Sequence, residues 1–563
     1  MSLNVQYLLT NHIDLWTSAI ENKSSAGRGS SRKQTLYGIK KLRELILELA
    51  VRGKLVSQDP NDEPASELLK RIEAERDQLV KEGKIKKPKK LPEISDEEKP
   101  FKLPVGWAWY KIGNYLNFEY GKALPAKERD DSGRYDVYGS NGPVGKHSCF
   151  IHEKPCIIIG RKGSAGALNK CLTPSWTTDV AYFLTPPAGV QLDFLYISLQ
   201  TMRLEDLGKG IKPGVNRNEA YQLVTALPPL AEQHRIVAKV DELMALCDQL
   251  EQQTEQQLDA HQQLVDTLLD TLTQSQNADE LADNWTRLSE YFDTLFTTEA
   301  SIDQLKQTIL QLAVMGKLVP QNPNDEPASE LLKRIAAEKT QLIKDGKIKK
   351  QKPLPPISEE EKPFELPEGW EWCRLNNAID VRDGTHDSPK EALSGKTYPL
   401  VTSKDFDDGK INFENAKQIS EEDHIEISKR SLVEVNDILF SMIGGNIGNQ
   451  VIVSDPRPFS IKNVALFKYY DRQSTTPFFF QIYTKNLATT LHSEASGGAQ
   501  PFISLGKLRN LLFALPPVCE QNRIVNKTNE LLTLCDHLKE LLTHSQQTQL
   551  QLTDTLVTEA LNG

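Results

Sequence analysis

Two stretches in the first half of the chain carry side chains that can hydrogen-bond to the edges of nucleic-acid bases. They read "YGSNGPVGKH" at 138–147 and "GRKGSAG" at 160–166. Arginine and lysine donate to guanine O6 and N7, and asparagine can bond adenine in the major groove. With two residues from a later segment, the candidates are Asn141, Lys146, His147, Arg161, Lys162, Asn216 and Arg217. Taken singly, each residue type is also common on ordinary protein surfaces.

The second half offers a similar set in different sequences. The stretches are "DGTHDSPKE" at 383–391, "VTSKD" at 401–405 and "IKNVALF" at 461–467. Their candidate base- or phosphate-contacting residues, with one asparagine from a glycine loop, are Thr385, His386, Lys390, Ser403, Lys404, Asn446, Lys462 and Asn463. The last two adjoin an apolar strand, so a buried structural role is also open for them.

The glycine-rich loops do not fit nucleotide binding, and no catalytic motif is present. Gly160, Gly163 and Gly166 have the spacing GxxGxxG, which differs from the GxGxxG dinucleotide fingerprint. "SGKT" at 394–397 has Lys390 where a phosphate loop needs its first glycine. Neither a nucleophile elbow nor an HExxH zinc motif occurs. The sequence therefore predicts a chain that binds rather than catalyses.

The composition of the chain further limits the class of protein to which it can belong. Seven cysteines never occur as CxxC, which indicates reduced thiols in a cytoplasmic protein without a metal site. No apolar run reaches the roughly 18 residues of a membrane span, and the N-terminus lacks the basic start of a secretory signal. The 563 residues suggest three or four domains.

The net charge of −10 is unevenly distributed. Residues 110–225 carry 14 Lys and Arg against 11 Asp and Glu, and residues 373–513 carry 16 against 17. These two nearly neutral segments lie in an acidic remainder. Because local potential decides whether DNA is attracted, the total charge does not exclude nucleic acid as a partner.

The elements that must position these side chains come in two copies. Leu42–Trp109 matches Leu305–Trp372 at 49 of 68 positions, at an offset of 263. "ALPPLAEQHRIV" from Ala226 matches "ALPPVCEQNRIV" from Ala514 at an offset of 288. We call the matching parts the frame, and the dissimilar segments inside it insert 1 (110–225) and insert 2 (373–513). The sequence predicts similar frames around different inserts.

The frame reads as helices joined by a linker. "LRELILELAVRGKLV" has helical apolar spacing and ends near Gly53, and the next helix starts with Pro64 in its first turn and stops at Gly83. The charged stretch that follows is a linker. Its basic run Lys84–Lys90 could touch phosphates, although a solvated tether is the favoured interpretation.

After each "LPP" the frame shows a heptad pattern typical of a coiled coil. The predicted seam residues, also candidates for partner contact, are Ile236, Val240, Leu243, Leu250, Leu264, Leu268, Ile524, Leu531, Leu538, Leu542, Leu552 and Leu556. His261 falls on the same seam and is predicted to pack there rather than to bind a ligand. Each helix of about 48 residues would span roughly 70 Å and act as a spacer.

The repeat also predicts how the parts connect. "PCIIIGRKGSAG" at 155–166 and "DILFSMIGGNIG" at 437–448 hold corresponding places, and "GIKPGV" at 210–215 matches "GAQPFI" at 498–503. We therefore expect one fold with two different surfaces. The bridge at 276–304 faintly resembles the N-terminal stretch. The order of the repeated segments is therefore that of a circle, which the two chain ends interrupt at one point. Residues near Met1 and Gly563 should lie close together.

These features together resemble the specificity subunit of type I restriction–modification enzymes. The resemblance rests on "LPPLAEQHRIV", "LPPVCEQNRIV", "AVRGKLV", "AVMGKLV", "DGTHDSP" and "GRKGSAG", and covers essentially the whole chain. The "NDEPASELLKRI" frame and the N-terminal extension resemble one branch of that family.

The resemblance implies an α+β fold. Two α/β-mixed target-recognition domains would be separated by long antiparallel coiled-coil helices in a pseudo-twofold circular arrangement. The implied division is an N-terminal extension and first conserved region (1–109), recognition domain 1 (110–225), a central conserved region (226–372), recognition domain 2 (373–513) and a C-terminal helix (514–563).

The resemblance also implies a function and partners. Each recognition domain would read one half of a bipartite, asymmetric site in double-stranded DNA, while the helices set the gap and dock two methyltransferase (M) subunits. The chain itself would need no cofactor; the M partners bind S-adenosylmethionine, and the restriction (R) partners use ATP and magnesium. No "NPPY"-like tetrapeptide of adenine methylases occurs here. The alternatives are a duplicated coiled-coil adaptor without DNA selectivity and a self-sufficient enzyme, which the missing motifs disfavour.

Overall fold

A computed structural model describes residues 5–23, 33–83, 91–130, 132–207, 214–276, 278–407, 409–473, 475–493 and 502–562. The chain divides into two compact units. Unit 1 contains most of the chain up to Gln257 and the last residues from Ser545, and unit 2 contains Leu258–His544. The run Lys84–Lys90, most of the loop at 22–33, and most of "GIKPGV" and "GAQPFI" lie outside the described residues.

The first copy of the frame is helical. Its elements are α1 (Val5–Asn11), α2 (Ile13–Ser18), β1 (Glu21–Lys23), β2 (Lys33–Thr35), α3 (Tyr37–Val51) and α4 (Ala65–Lys81). Helix α3 ends as predicted because Gly53 has a φ of 66°, and a Cβ there would lie 2.4 Å from Pro104 Cγ. Pro64 precedes α4 as its N-cap with extended backbone, rather than lying in the first turn. Its missing N–H costs nothing at that position.

Insert 1 is a mixed domain of small sheets and short helices. Its elements are β3 (Ala108–Lys111), α5 (Ile112–Tyr115), β4 (Glu119–Tyr120), β5 (Tyr135–Gly139), β6 (Gly142–His147), β7 (Cys156–Gly160), β8 (Leu168–Cys171), β9 (Trp176–Thr177), β10 (Ala181–Leu184), α6 (Leu192–Thr201), α7 (Arg217–Ala220) and β11 (Val224–Leu227). The sheet orders are β4-β10-β7-β8, β6-β5-β9 and β11-β3. The apolar run of β7 is central, and all five of its residues are buried.

The middle of the chain begins with the long helix of the first frame copy and continues into the second copy. Its elements are α8 (Leu230–Gln274), α9 (Ala278–Glu290), α10 (Phe292–Leu295), α11 (Glu299–Val314) and α12 (Ala328–Lys344). The break between α9 and α10 has the same form as that between α1 and α2, since Tyr291 and His12 both precede the second helix with similar backbone angles. The faint similarity between bridge and N-terminus therefore reflects the same local structure.

Insert 2 repeats the strand order of insert 1. Its elements are β12 (Glu371–Arg374), α13 (Leu375–Ala378), β13 (Ile379–Asp383), β14 (Thr397–Val401), β15 (Phe406–Asp407), β16 (Lys410–Ile411), β17 (Lys417–Ser420), α14 (Glu421–Ser431), β18 (Ile438–Ser441), β19 (Gln450–Ile452), β20 (Ser460–Ile461), β21 (Val464–Tyr469), α15 (Pro477–Ser493), α16 (Leu505–Asn510) and β22 (Leu512–Leu515). The orders β13-β21-β18-β19, β17-β14-β20 and β12-β22 reproduce those of insert 1. The expectation of one fold in both inserts is confirmed.

The last element, α17 (Val518–Asn562), has 45 residues, as does α8. The two helices begin and end at positions related by the offset of 288. In unit 1, Ile236, Val240 and Leu243 of α8 are buried in the core, and Leu250 and Leu556 pack against it. In unit 2, Leu268, Leu531, Leu538 and Leu542 pack against a second core, and Ile524 is fully buried. The α+β architecture with long helices is as predicted.

Two predicted seam positions were wrong. Leu264 and Leu552 are 51% and 52% exposed, whereas the residues that follow them, Val265 and Thr553, are buried. A straight helix drifts by about 20° per heptad relative to a strict seven-residue repeat. Over the four heptads from Ile236 to Leu264 this amounts to about 80°, close to the roughly 100° between successive residues. The buried line therefore moves by one residue in both copies.

Both chain ends belong to unit 1. The Lys54 ammonium donates to the Leu561 carbonyl at 2.8 Å, and the Tyr37 hydroxyl donates to Asp554 at 2.7 Å. Leu8 lies in the core against which Leu561 packs. The C-terminal helix therefore packs on the first frame copy. Met1 and Gly563 themselves lie outside the described residues, and the predicted proximity of the two chain ends stays a prediction.

The repeated "EQHR" and "EQNR" motifs tie each frame together. Glu232 is buried and accepts from the Gln58 amide at 3.1 Å and from the Trp107 indole at 3.0 Å. Arg235 pairs with Asp62 at 2.6 Å. In the second copy, Glu520 accepts from Gln321 at 3.1 Å, and Arg523 pairs with Asp325 at 2.6 Å. The motif is therefore a structural clamp between the start of the long helix and the preceding frame segment.

Candidate nucleic-acid interface

In insert 1 the fold joins the loop after β7 to the segment before α7. The Val215 amide donates to the Arg161 carbonyl at 2.9 Å, and Lys162 and Gly214 form an isolated antiparallel bridge. Four predicted candidates, Arg161, Lys162, Asn216 and Arg217, thereby lie in two adjacent segments, and the Asn216 side chain caps α7 by accepting from the Asn218 amide at 2.9 Å.

Tyr120 lies between these two segments and was missed by the sequence analysis. The guanidinium groups of Arg161 and Arg217 lie over its ring, at 5.2 and 4.7 Å from the ring centre. Arg161 also donates to the Asp179 carbonyl at 2.9 Å, and Arg217 to the Phe118 carbonyl at 3.2 Å. Tyr120 is 49% exposed. Both arginines are thus held in place while part of this basic, aromatic surface faces solvent. The only signal in the sequence is an aromatic residue in "FEYGK" before a loop.

The other three candidates of insert 1 lie on the β5–β6 hairpin. Asn141 is exposed at its tip, and a Cβ on Gly160 would lie 2.4 Å from the neighbouring Ser140 carbonyl, so the tip adjoins the glycine loop. Lys146 and His147 lie at the far end of β6, opposite Asp136 and Tyr135. Within the described residues, neither Lys146 nor His147 forms a hydrogen bond or an ion pair with Arg161. We refer to Arg161, Lys162, Asn216, Arg217 and Tyr120 as the arginine cluster.

In insert 2 a cleft of about 490 Å³ collects most of the candidates. The predicted residues that line it are Ser403, Lys404, Asn446, Lys462 and Asn463, and the polar residues that the sequence analysis missed are Ser388, Thr402 and Lys417. Lys417 lies on β17 and reaches the cleft because β17 pairs with β14, which ends at the cleft. We call this site the lysine cleft.

The remaining candidates of insert 2 have different positions. Thr385 is half-buried; its backbone bonds Ile461 and Asn463, and its hydroxyl accepts from the Asp387 amide at 3.1 Å. Lys390 is exposed and is not part of the cleft lining. His386 has 62% of its side chain exposed and contacts the cleft residue Asn463.

A chain of hydrogen bonds runs from Arg430 on α14 through the buried Asp383 to the lysine cleft. Arg430 Nε donates to Asp383 Oδ1 at 3.0 Å. The other carboxylate oxygen of Asp383 lies 3.1 Å from His386 Nε2, and His386 Nδ1 lies 3.1 Å from Asn463 Oδ1. Asp383 is buried, and Asn463 has a φ of 56°, which is uncommon for a residue other than glycine. The cleft therefore presents an asparagine whose backbone and amide are both held.

Neither a metal centre nor a membrane helix was identified in the part of the chain that the structure describes. No group of three or more His, Cys, Asp or Glu side chains there is arranged to hold a metal ion. No described helix is both long and apolar enough to cross a bilayer.

Comparison with known proteins places the chain in a family. A family profile for the "Type I restriction modification DNA specificity domain" matches residues 104–260 and 367–544. The chain is 44% identical over its whole length, and that of the relative, to the Type I restriction enzyme EcoAI specificity subunit of Escherichia coli. It is 43% identical to the EcoEI specificity subunit of the same species, covering 99% of this chain and all of that one. The chain thus belongs to the family of type I restriction–modification specificity subunits, and the resemblance seen in the sequence is confirmed.

Solved structures show weaker similarity. A crystal structure of the HsdS subunit from Thermoanaerobacter tengcongensis is 18% identical with a TM-score of 0.40, covering 82% of this chain and 98% of that one. A chain from a study of type I system assembly and conformational transition is 18% identical with a TM-score of 0.44, covering 82% and 99%. As a specificity subunit, the chain is a recognition component and not a catalytic one.

Proposed function

We propose that the chain reads a bipartite, asymmetric site in double-stranded DNA, with one half read by insert 1 and the other by insert 2. The observation that carries the proposal is that one strand order presents two chemically different polar faces. Insert 1 offers the arginine cluster and insert 2 the lysine cleft. A shared fold with different polar loops is what two readers of different sequences need.

The frame would position these readers and hold the partner subunits. Equivalent leucines are exposed on both long helices: Leu246 and Leu534, and Leu264 and Leu552, at 37%, 54%, 51% and 52%. Exposed apolar side chains at repeated positions suit two copies of the same partner. We assign these exposed leucines to contacts with two M subunits, and we propose that the length of the helices sets the gap between the half-sites.

Chemistry would belong to the partners in a cytoplasmic complex. The M subunits would bind S-adenosylmethionine and methylate adenine in the DNA, and the R subunits would hydrolyse ATP with magnesium and cut. The family of specificity subunits and the type I enzymes named among the relatives support this division.

Exchange of insert 1 tests the proposal. Residues 110–225 are replaced by the corresponding segment of another specificity subunit, and the methylated sequence is determined with the cognate M subunit present. We expect one half of the recognised sequence to change while the other half and the gap remain. An unchanged recognised sequence, or a change of both halves together, would contradict separate reading by the two inserts. If the complex with M assembles but methylation is unrelated to DNA sequence, the adaptor is favoured.

A further inference from the structure

The lysine cleft is lined by hydrogen-bond donors. Lys404, Lys417 and Lys462 line it together with Ser388 and Ser403. The Thr402 hydroxyl, also in the lining, donates to Asp405 Oδ2 at 3.0 Å. Among the described residues that line the cleft, none is aspartate or glutamate. An ammonium group can only donate hydrogen bonds, so the ligand edge that fits this cleft must consist of acceptors.

Asn463 adds a donor whose direction is fixed. Its amide oxygen lies 3.1 Å from His386 Nδ1, so the amino group is the end left for the cleft. Lys462, the preceding residue, donates to the Ser388 hydroxyl and so ties the segment before β21 to the segment after β13. An asparagine with both ends free can bond adenine through a donor and an acceptor, but one whose oxygen is occupied offers donors alone.

The orientation of the Asn463 amide follows from Asp383. This buried carboxylate is paired with Arg430 and accepts from His386 Nε2 at 3.1 Å. A carboxylate at Nε2 and an amide oxygen at Nδ1 are both acceptors, so the arrangement in the structure is the one that the imidazolium form of His386 makes. With that form, an Asn463 amide turned over would bring its N–H groups against the N–H of His386. Asp383 and His386 are therefore positioning residues for Asn463.

Among the base edges in the major groove, guanine matches this donor set. Guanine presents two adjacent acceptors, O6 and N7, whereas adenine and cytosine present an amino donor and thymine pairs its single acceptor with a methyl group. A phosphate oxygen is also an acceptor. Phosphate binding by flexible lysines, however, does not need a neutral amide held by a buried carboxylate and a histidine.

We propose that the lysine cleft binds the O6/N7 edge of a guanine in the half-site read by insert 2, with Asn463 as a direct donor held by Asp383 and His386. The inference rests on the proposed function and specifies the base that this surface reads. The lysines at 404, 417 and 462 supply the remaining donors and the positive charge.

The test uses the complex of the full chain with its M subunits and duplex oligonucleotides that carry the recognised site. Each guanine of the second half-site is replaced in turn by 7-deazaguanine, which lacks the N7 acceptor. We expect one replacement to weaken binding at least fivefold, as loss of a good base contact does. His386→Ala and Asn463→Gly should both remove most of this penalty, and glycine retains the backbone conformation at 463. Lys429→Gln on α14, whose lysine pairs with Glu426, is the matched control and should keep it.

Internal controls separate the possible failures. Guanine replacements in the first half-site should have the same effect in the wild type and in all three variants. The inference is wrong if the second half-site has no guanine on either strand. It is also wrong if His386→Ala and Asn463→Gly leave the 7-deazaguanine penalty intact. In both cases the proposed function stands. If methylphosphonate linkages weaken binding but 7-deazaguanine does not, the cleft binds phosphate and the inference is wrong. Absence of any sequence selectivity would reject the proposed function and the inference with it.

Discussion

Arg161 is the residue of insert 1 whose role is most constrained by its surroundings. Its guanidinium lies over Tyr120 and donates to the Asp179 carbonyl, which leaves further N–H groups for a ligand. A guanidinium held on an aromatic ring loses less conformational entropy on binding than a free one.

Arg161→Ala is expected to weaken selectivity for the first half-site by about 1–3 kcal/mol, because a bidentate contact to guanine would be lost. The second half-site should be unaffected. Competition binding with duplexes mutated in either half measures this. Arg134→Ala, an exposed arginine of the same insert that lies over Tyr135, serves as control. Equal loss at both half-sites would show that Arg161 supplies only charge.

A second residue-scale prediction concerns pH and the core of insert 1. Burial lowers the pKa of His152 from 6.5 to about 4. Its Nε2 lies 2.9 Å from the Thr177 hydroxyl, and its ring stacks on Phe183. Between these two pKa values the unfolded chain binds a proton that the folded chain does not, so the His152 contribution to stability is complete above pH 6.5 and falls towards pH 4.

Urea unfolding at pH 7.5, 6 and 5 should therefore show a loss of stability on acidification that His152→Gln reduces. His234→Gln, at an exposed position of α8, should leave the pH dependence unchanged. An identical pH dependence in wild type and His152→Gln would contradict the assignment.

At the scale of elements, the long helices are held by the same clamp in both copies. Burial raises the pKa of Glu232 and of Glu520. The hydrogen bond from Gln58 to Glu232, and that from Gln321 to Glu520, partly offset this rise. Replacing Glu232 by alanine leaves the buried Trp107 indole N–H unpaired, so we expect about 1–3 kcal/mol of destabilisation. Denaturant unfolding measures it, with the exposed Glu242→Ala on the same helix as matched control. A loss no larger than that of the control would show that the clamp is dispensable.

The shifted seam makes another prediction about α8. Leu269 is 4% exposed in the core of unit 2, and Leu264 is 51% exposed. Leu269→Ala should destabilise the chain by about 2–5 kcal/mol because it opens a cavity. Leu264→Ala should change stability by less than about 0.5 kcal/mol but weaken association with M subunits. Unfolding and co-purification measure the two effects separately. Equal destabilisation by both substitutions would show that Leu264 is packed as the heptad pattern predicted.

Local features were predictable from the sequence and long-range ones were not. Gly53 and Gly83 end helices because backbone conformation at a helix end depends on the glycine itself, and both were predicted. The contact between His386 and Asn463 spans 77 positions and depends on how β13 and β21 align. Tyr120 and Lys417 were missed for the same reason, since strand register brings them to the two sites.

At the scale of the molecule, the repeat in the sequence corresponds to two units that are built in the same way. Each unit combines a helical frame copy with one insert, and unit 1 is completed by the end of the chain from Ser545. The frame segments repeat the same clamp, whereas the inserts share strand order and differ in their polar faces. A duplicated frame suits two similar partners held over two different half-sites.

The most direct test of this account is genome-wide mapping of N6-methyladenine in a methylation-deficient host that expresses the chain with its cognate M subunit. We predict a single split motif, methylated on opposite strands in its two halves and absent without this chain. If the complex assembles and M is shown to be competent, yet methylation follows no split motif, the chain does not read DNA as proposed.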